Sequence, residues 1–139
     1  MKEIEKSQQE NLALVRQLYS AFARQEISVL LDVLSEDIDW LFYGPEEIPF
    51  AGHYRGHQEV AAFFAKALAT SEFLRFEPRD FIAGTNTILV QGFEQVRAKS
   101  TGRVWETEWA HVFTIGGAKI IKLREYYDTS VIVAAFRNS

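Results

Sequence analysis

Between Gly102 and Asp128 the chain alternates large apolar and polar side chains in two runs that meet at Gly116-Gly117. No other stretch constrains the fold as strongly. Period-two alternation sends successive side chains to opposite faces of a strand, and two such runs around a glycine pair read as a β-hairpin. In the first arm Trp105, Thr107, Trp109, His111, Phe113 and Ile115 share a face, against Glu106, Glu108, Ala110, Val112 and Thr114. In the second, Ile121, Leu123, Glu125 and Tyr127 alternate with Ile120, Lys122, Arg124, Tyr126 and Asp128. The more apolar face carries two ionisable residues, His111 and Glu125. Such groups cost free energy on a buried face unless they are paired.

The register decides whether they meet. His111 and Glu125 share a face only if the residue numbers of paired positions have an even sum, which means an odd loop length. A three-residue loop, Gly116-Gly117-Ala118, pairs Ile115 with Lys119 and sets Glu125 opposite Trp109. His111 is then its diagonal neighbour, at about 7–8 Å between backbone positions. A five-residue loop sets His111 directly opposite Glu125. A two-residue loop gives an odd sum and turns the two apolar sets to opposite faces, which burial forbids. His111 and Glu125 are therefore expected to be neighbours inside the protein.

The rest of the chain supplies what covers that face. Residues 1–9 are polar and read as a frayed lead-in. From there Leu12, Val15, Tyr19 and Phe22, widened by Leu14, Leu18 and Ala21, mark a first helix. Arg24-Gln25-Glu26 is its break. Ile27, Leu30, Leu31 and Leu34 predict a short second helix, with Ser28 as candidate N-cap. Asp37–Tyr43 alternates as a strand with Ile38, Trp40 and Phe42 on one side. Gly44–Gly56, with two of the three prolines, reads as a loop. Val60, Phe63, Phe64, Ala67 and Leu68 predict a third helix. Phe73–Ala83 carries Pro78, which points to an edge or bulged strand. Thr87–Lys99 reads as a long strand with Leu89, Gln91, Phe93 and Gln95 on one face, and Ser100-Thr101-Gly102 as a turn. Thr129–Ser139 reads as a short apolar tail.

Three Trp, five Tyr and eleven Phe among 139 residues suit one domain with a large interior. A net charge of −4 and the lack of any Lys/Arg run argue against a nucleic-acid binder. No cysteine is present, which removes disulfides and thiol chemistry. No apolar signal core or spanning segment is seen, so no membrane partner and a cytoplasmic location are expected. Phosphate-loop and nucleotide fingerprints are missing, and no cofactor is expected. His53 and His57 lie four apart, a metal-ligand spacing, but no carboxylate pattern accompanies them and no metal site is expected.

Helix, helix, strand, helix and then four strands make an α+β domain: three helices cover the concave face of a strongly curved, mainly antiparallel, cone-shaped sheet. That order resembles the nuclear-transport-factor-2-like superfamily, which includes ketosteroid isomerases, limonene-type epoxide hydrolases and SnoaL-like polyketide cyclases. The resemblance is carried by Val15-Arg16-Gln17-Leu18-Tyr19-Ser20-Ala21-Phe22, Leu34-Ser35-Glu36-Asp37-Ile38-Asp39-Trp40, Gly52-His53-Tyr54-Arg55-Gly56-His57, and Ala118-Lys119-Ile120-Ile121 through Tyr126-Tyr127-Asp128. It spans roughly Asn11 to Asp128 and implies the fold more than the reaction.

Carried over residue by residue, the resemblance puts the isomerases' general base at Phe42. Their oxyanion Tyr falls at Leu18, with Tyr19 turned about 100° around the helix, and their protonated Asp near His111. The epoxide hydrolases' Arg and Asp fall at Phe93 and Gln95, and their last Asp at Glu125. Neither set is intact, so neither mechanism is expected.

What the residues themselves support is an acid–base pair, His111 and Glu125. Trp40, Phe42, Phe93, Trp109 and Tyr127 are expected to line a pocket for a small, flat, apolar or aromatic molecule. Gln91 and Gln95 would orient it, Tyr19 would contribute from the first helix, and His53 would stand at the mouth as a gate; His57 would start the third helix and face solvent. The expected activity is isomerisation, cyclisation or hydration. A buried His–Glu pair also arises as a plain core contact, so two alternatives stand: a non-catalytic ligand-binding module, and a homodimerising assembly domain using the outer sheet face at Ala110, Val112, Ile120 and Tyr126.

Overall fold

A computed structural model describes residues 2–138. Helix α1 runs Lys2–Ala23. The expected lead-in is therefore helical almost throughout, its polar residues such as Glu5, Lys6 and Gln8 being good helix formers that need no buried face. The helix ends where Gln25 takes φ 56°. Gln25 N bonds Phe22 O at 2.9 Å and Glu26 N bonds Ala21 O at 2.9 Å, the paired closure of a Schellman motif. Helix α2 is Ile27–Asp32, with Glu26 rather than Ser28 at its N-cap and no side-chain cap bond. Helix α3 is Gly56–Thr70, burying Val60, Phe63, Phe64 and Ala67.

A fourth helix, α4 (Thr129–Phe136), replaces the expected tail; the Asp128 side chain accepts from Ser130 N at its start, the standard N-cap role of Asp. Four helices, not three, thus accompany the sheet. Its strands are β1 (Leu34–Phe42), β2 (Gly52–Arg55), β3 (Ser71–Ala83), β4 (Thr87–Ala98), β5 (Val104–Gly116) and β6 (Lys119–Tyr127), in the order β2-β1-β6-β5-β4-β3. The sheet is mixed, since β1 runs parallel to β6 while the other neighbours are antiparallel. The Gly44–Gly56 loop contains β2, paired to β1 from Asp39–Arg55 to Phe42–Gly52. Edge strand β3 shifts register at Phe73/Arg75 and Pro78/Asp80, where the proline has no N–H to give the ladder.

The central hairpin turns on Gly117 and Ala118, both at positive φ (57° and 61°), as a tight two-residue turn requires. At the tip the pairing is Gly116–Lys119 and Ile115–Ile120, an odd sum. A register shift between Thr114 and Ile115 then restores an even sum, with Thr114 opposite Lys122 and His111 opposite Glu125. The extra residue is Ile121, which is 38% exposed beside the exposed Lys122, whereas Ile120 is fully buried. This bulge overturns two expectations. The two-residue loop is realised, because one inserted residue reverses the facing of everything beyond it. Ile120 also belongs to the core and not to the outer face.

Buried side chains from every element but β3, whose Phe73, Phe76 and Phe81 are half-buried against them, form one hydrophobic cluster, with Trp40, Phe113, Ile88 and Ile132 among its most enclosed members. On β4 the inward face is Ile88, Val90, Gly92, Glu94, Val96 and Ala98. Leu89, Gln91, Phe93 and Gln95 face outward, opposite to expectation. Gly92 is required there: a Cβ would lie 2.2 Å from the Trp109 ring and 2.6 Å from the Glu77 carbonyl. Among the described residues no helix is long and apolar enough to cross a membrane.

Candidate active site

Hairpin register places His111 and Glu125 directly across from each other, both about 5% exposed. His111 is held on three sides. The Tyr19 hydroxyl lies 2.7 Å from Nδ1 and the Tyr127 hydroxyl 2.9 Å from Nε2, and Glu125 Oε1 sits 3.1 Å from Nε2. Trp109 stacks on the imidazole at 4.0 Å between ring centres, and Phe76 stacks on Trp109 at 5.0 Å. Glu125 is held at its other oxygen, where Trp40 Nε1 donates to Oε2 at 2.9 Å. A neutral imidazole donates at one nitrogen and accepts at the other, and a tyrosine hydroxyl can do either. The chain Tyr19–His111–Tyr127 can therefore be polarised in either direction, with Glu125 Oε1 beside Nε2.

Burial, reinforced by the Glu125 charge, pushes the Tyr19 hydroxyl well above its ordinary value. Burial also raises Tyr127, helped by Glu94, Glu125 and Tyr19. Both tyrosines stay neutral and act as hydrogen-bond partners, not as phenolate bases. Although Tyr19 is turned away from the position the resemblance assigns, both it and Leu18 reach the interior, because the sheet curves around α1.

These groups border an interior cavity of about 50 Å³. That exceeds the roughly 10–15 Å³ one water needs and falls well short of the roughly 300–1,000 Å³ of an open ligand pocket. Its wall includes Trp40, Phe42, Tyr127, Tyr19, Phe63 and Phe76. Phe22, Phe73 and Phe76 are the half-buried phenylalanines of that wall and pack on one another at 5.1–6.1 Å between centres. They belong to α1 and β3.

Several expected lining residues are elsewhere. Trp109 faces inward behind His111 and is not on the cavity wall; its Nε1 is buried without a hydrogen-bond partner among the described residues. Phe93 lies outside under the guanidinium groups of Arg75 and Arg79, each 4.9 Å from its ring. Gln95 donates to Glu106 at 2.8 Å on the same outer face, and Gln91 is exposed. His53 is no gate: it projects from β2 onto Asp39 at 2.5 Å, where Arg124 also binds. Burial would raise the Asp39 carboxyl, but hydrogen bonds from His53 and Arg124 outweigh it and hold the group below its usual value. His57 does not face solvent freely, since it is half-buried and its Nε2 bonds the Leu34 carbonyl at 2.9 Å. No group of three or more His, Asp or Glu among the described residues could hold a metal ion.

Sequence reasoning missed Glu94. It is 3% exposed, lines the cavity, and accepts Trp105 Nε1 at Oε2 (2.7 Å). Burial, with the nearby Glu125 charge, lifts its carboxyl from 4.5 to about 8 against the lowering effect of that hydrogen bond. The signal was present: Ile88, Val90, Val96 and Ala98 form an apolar alternation with Glu94 as its one charged member.

Comparison with known proteins agrees with this architecture. The SnoaL-like domain family model matches residues 15–123. A crystal structure of an NTF2-like protein from Burkholderia xenovorans is 37% identical with a TM-score of 0.87, covering 94% of this chain and 98% of that one. TerC, crystallised with polyporic acid, shares the fold at 20% identity and a TM-score of 0.83, with 93% and 99% covered. An uncharacterised protein of Mycobacterium tuberculosis is 25% identical over 127 residues, 91% of this chain and 95% of its own. With the family model matching residues 15–123 and the fold shared over nearly the whole chain, the protein belongs to the SnoaL-like family of the NTF2-like superfamily.

Proposed function

We propose that the protein is a small acid–base enzyme of isomerase or cyclase type, acting on a small, flat, largely apolar molecule without a cofactor. The observation that carries this reading is the Tyr19–His111–Tyr127 chain with Glu125 at its side, bordering an aromatic-walled cavity. A core built only to fill space gains little from four polar side chains, each of which costs stability if left unpaired. A chain of hydrogen bonds that can reverse direction delivers a proton at one end while taking one up at the other. His111 is the group that changes charge, Glu125 stabilises its protonated form, and Tyr19 and Tyr127 carry the hydrogen bonds toward the cavity. The ligand enters by displacing the half-buried rings of Phe22, Phe73 and Phe76, since the closed cavity is smaller than a ring system.

The reading is tested by exchange of the α-methyl hydrogens of acetophenone in D2O, followed by proton NMR. Wild type is expected to exceed buffer catalysis, and His111→Asn and Glu125→Gln each to lose roughly 10²-fold or more, the range of a general acid–base contribution, with unchanged circular dichroism. Equal exchange rates in all three proteins would remove His111 and Glu125 from the chemistry.

A further inference from the structure

The outer face of the sheet carries a groove that the interior chemistry does not use. It follows one row across four strands: register pairs Asp80 with Gln91, Gln91 with Ala110, and Ala110 with Tyr126. Neighbouring strands stand about 4.8 Å apart, so the row spans about 14 Å. Ala110, the smallest side chain in the row, leaves a depression between Gln91 and Tyr126, and Glu108 lies two residues before it on the same face. The β3 bulge adds Arg79. Pairing steps from Pro78–Gly92 to Asp80–Gln91, so Arg79 is the extra residue and turns to the same side as Asp80. Together these residues border about 340 Å³, within the range of about 300–1,000 Å³ of a small-molecule site.

Two of the groove's groups are held in place. Arg79 donates to Glu77 Oε1 at 2.9 Å, and its guanidinium lies 4.9 Å over the Phe93 ring. Tyr126 stacks on Tyr43 at 5.0 Å between centres, with 23° between the ring planes, and is still 45% exposed. A tyrosine ring so placed offers flat contact area at little cost in entropy. Between them the side chains of Asp80, Gln91 and Glu108 are exposed, with no hydrogen-bond or ion-pair partner among the described residues.

These groups select against charge of either sign. An anionic ligand meets the carboxylates of Asp80 and Glu108, while Arg79 is already paired with Glu77. A cationic ligand meets Arg79, with Arg75 over the same Phe93 ring. A neutral polyhydroxyl compound suits every group present. Its hydroxyls donate to the two carboxylates, which makes the stronger, charge-assisted kind of hydrogen bond, and accept from the remaining N–H groups of Arg79 and from the amide of Gln91. A sugar ring also has a face of C–H groups to lay on Tyr126.

We infer that this groove binds a short neutral saccharide, with one ring packed on Tyr126 over Ala110 and the hydroxyls held by Gln91, Asp80, Glu108 and Arg79. The site lies outside the interior cavity and is independent of any ligand there.

The test follows the full chain by proton–nitrogen correlation spectra as maltose, cellobiose or lactose is added, with spermidine and glucuronate as charged controls. At least one disaccharide should shift the Ala110 backbone amide and the Gln91 side-chain amide along a single saturation curve, while both controls leave them in place. Tyr126→Ala, and Asp80→Asn combined with Glu108→Gln, should each weaken that binding roughly tenfold or more, the range for hydrogen bonds to charged groups. Unchanged circular dichroism of these exposed-site variants shows the fold intact. If no disaccharide saturates the two signals, or a charged control does so in its place, the groove is no saccharide site. Equal binding by wild type and both variants puts the sugar elsewhere and overturns the inference. Signals that move with protein concentration and ignore sugar mean that a second copy of the chain covers this face, which overturns it as well.

Discussion

Replacing Glu94 by Gln should change the pH dependence of stability more than any other single substitution in the interior. Its carboxyl is raised from 4.5 to about 8 on folding. Between those values the folded chain holds a proton that the unfolded chain has released. Stability from this group is therefore complete below about pH 4.5 and drains away as pH rises through about 8. Each pH unit in that interval corresponds to about 1.4 kcal/mol, so the full span is on the order of 5 kcal/mol, a ceiling that relaxation of the site will lower. That is a large part of the roughly 5–15 kcal/mol that holds a domain folded. Gln cannot ionise, and its carbonyl can still accept from Trp105. Urea unfolding at pH 5, 7 and 9 should give similar stabilities for both proteins at pH 5 and a variant several kcal/mol more stable than wild type at pH 9. Tyr19 and Tyr127, raised in their turn, remain neutral over this range and do not mask the effect. A difference between the two proteins that stays constant to within about 1 kcal/mol from pH 5 to 9 would refute the reasoning.

Other substitutions probe the frame around the site. Gly92→Ala drives a Cβ into the Trp109 ring and the Glu77 carbonyl; it should cost about 3 kcal/mol or more in denaturant melts, and a neutral outcome would mean that Trp109 moves freely. Ala118→Gly relieves a residue at φ 61° and should stabilise by about 0.5–1 kcal/mol after the flexibility it adds to the unfolded chain. Deleting Ile121 removes the bulge while leaving Leu123 opposite Phe113 and Glu125 opposite His111 if the two-residue turn is kept; the chain should still fold, and loss of the cooperative melt and of native near-ultraviolet dichroism would contradict that.

The residues show why some of this could be read ahead and some could not. In β5 every second side chain from Trp105 to Ile115 is buried, as alternation demands, because a regular strand converts sequence period directly into facing. The meeting of His111 with Glu125 followed from parity of register alone. The bulge did not, since Ile120 and Ile121 are chemically identical and only the turn decides which one faces inward. On β4 the large Phe93 suggested an inward face, yet it is the small Gly92 that lies inside, beneath Trp109; size alone misleads where a neighbour fills the space. Glu94 was lost with that face. Helix α4 was hidden in a short apolar run whose start signal, Asp128-Thr129-Ser130, is visible only when a helix is sought there. His53 reads as a gate only while Gly44–Gly56 reads as loop; pairing of β2 with β1 fixes it beside Asp39 on the outer surface.

The three tryptophans provide the most direct test of the central claim, that ligand meets acid–base groups in the interior. Trp105 Nε1 reports on Glu94, Trp40 Nε1 on Glu125, and Trp109 Nε1 has no partner among the described residues. Their indole resonances in a proton–nitrogen correlation spectrum can be followed as acetophenone is added. The account predicts that the Trp105 and Trp40 signals shift together, saturate with a single dissociation constant, and do so less at pH 9.5 than at 6.5. Indole signals that stay fixed while the ligand saturates elsewhere, or never saturates, would contradict it.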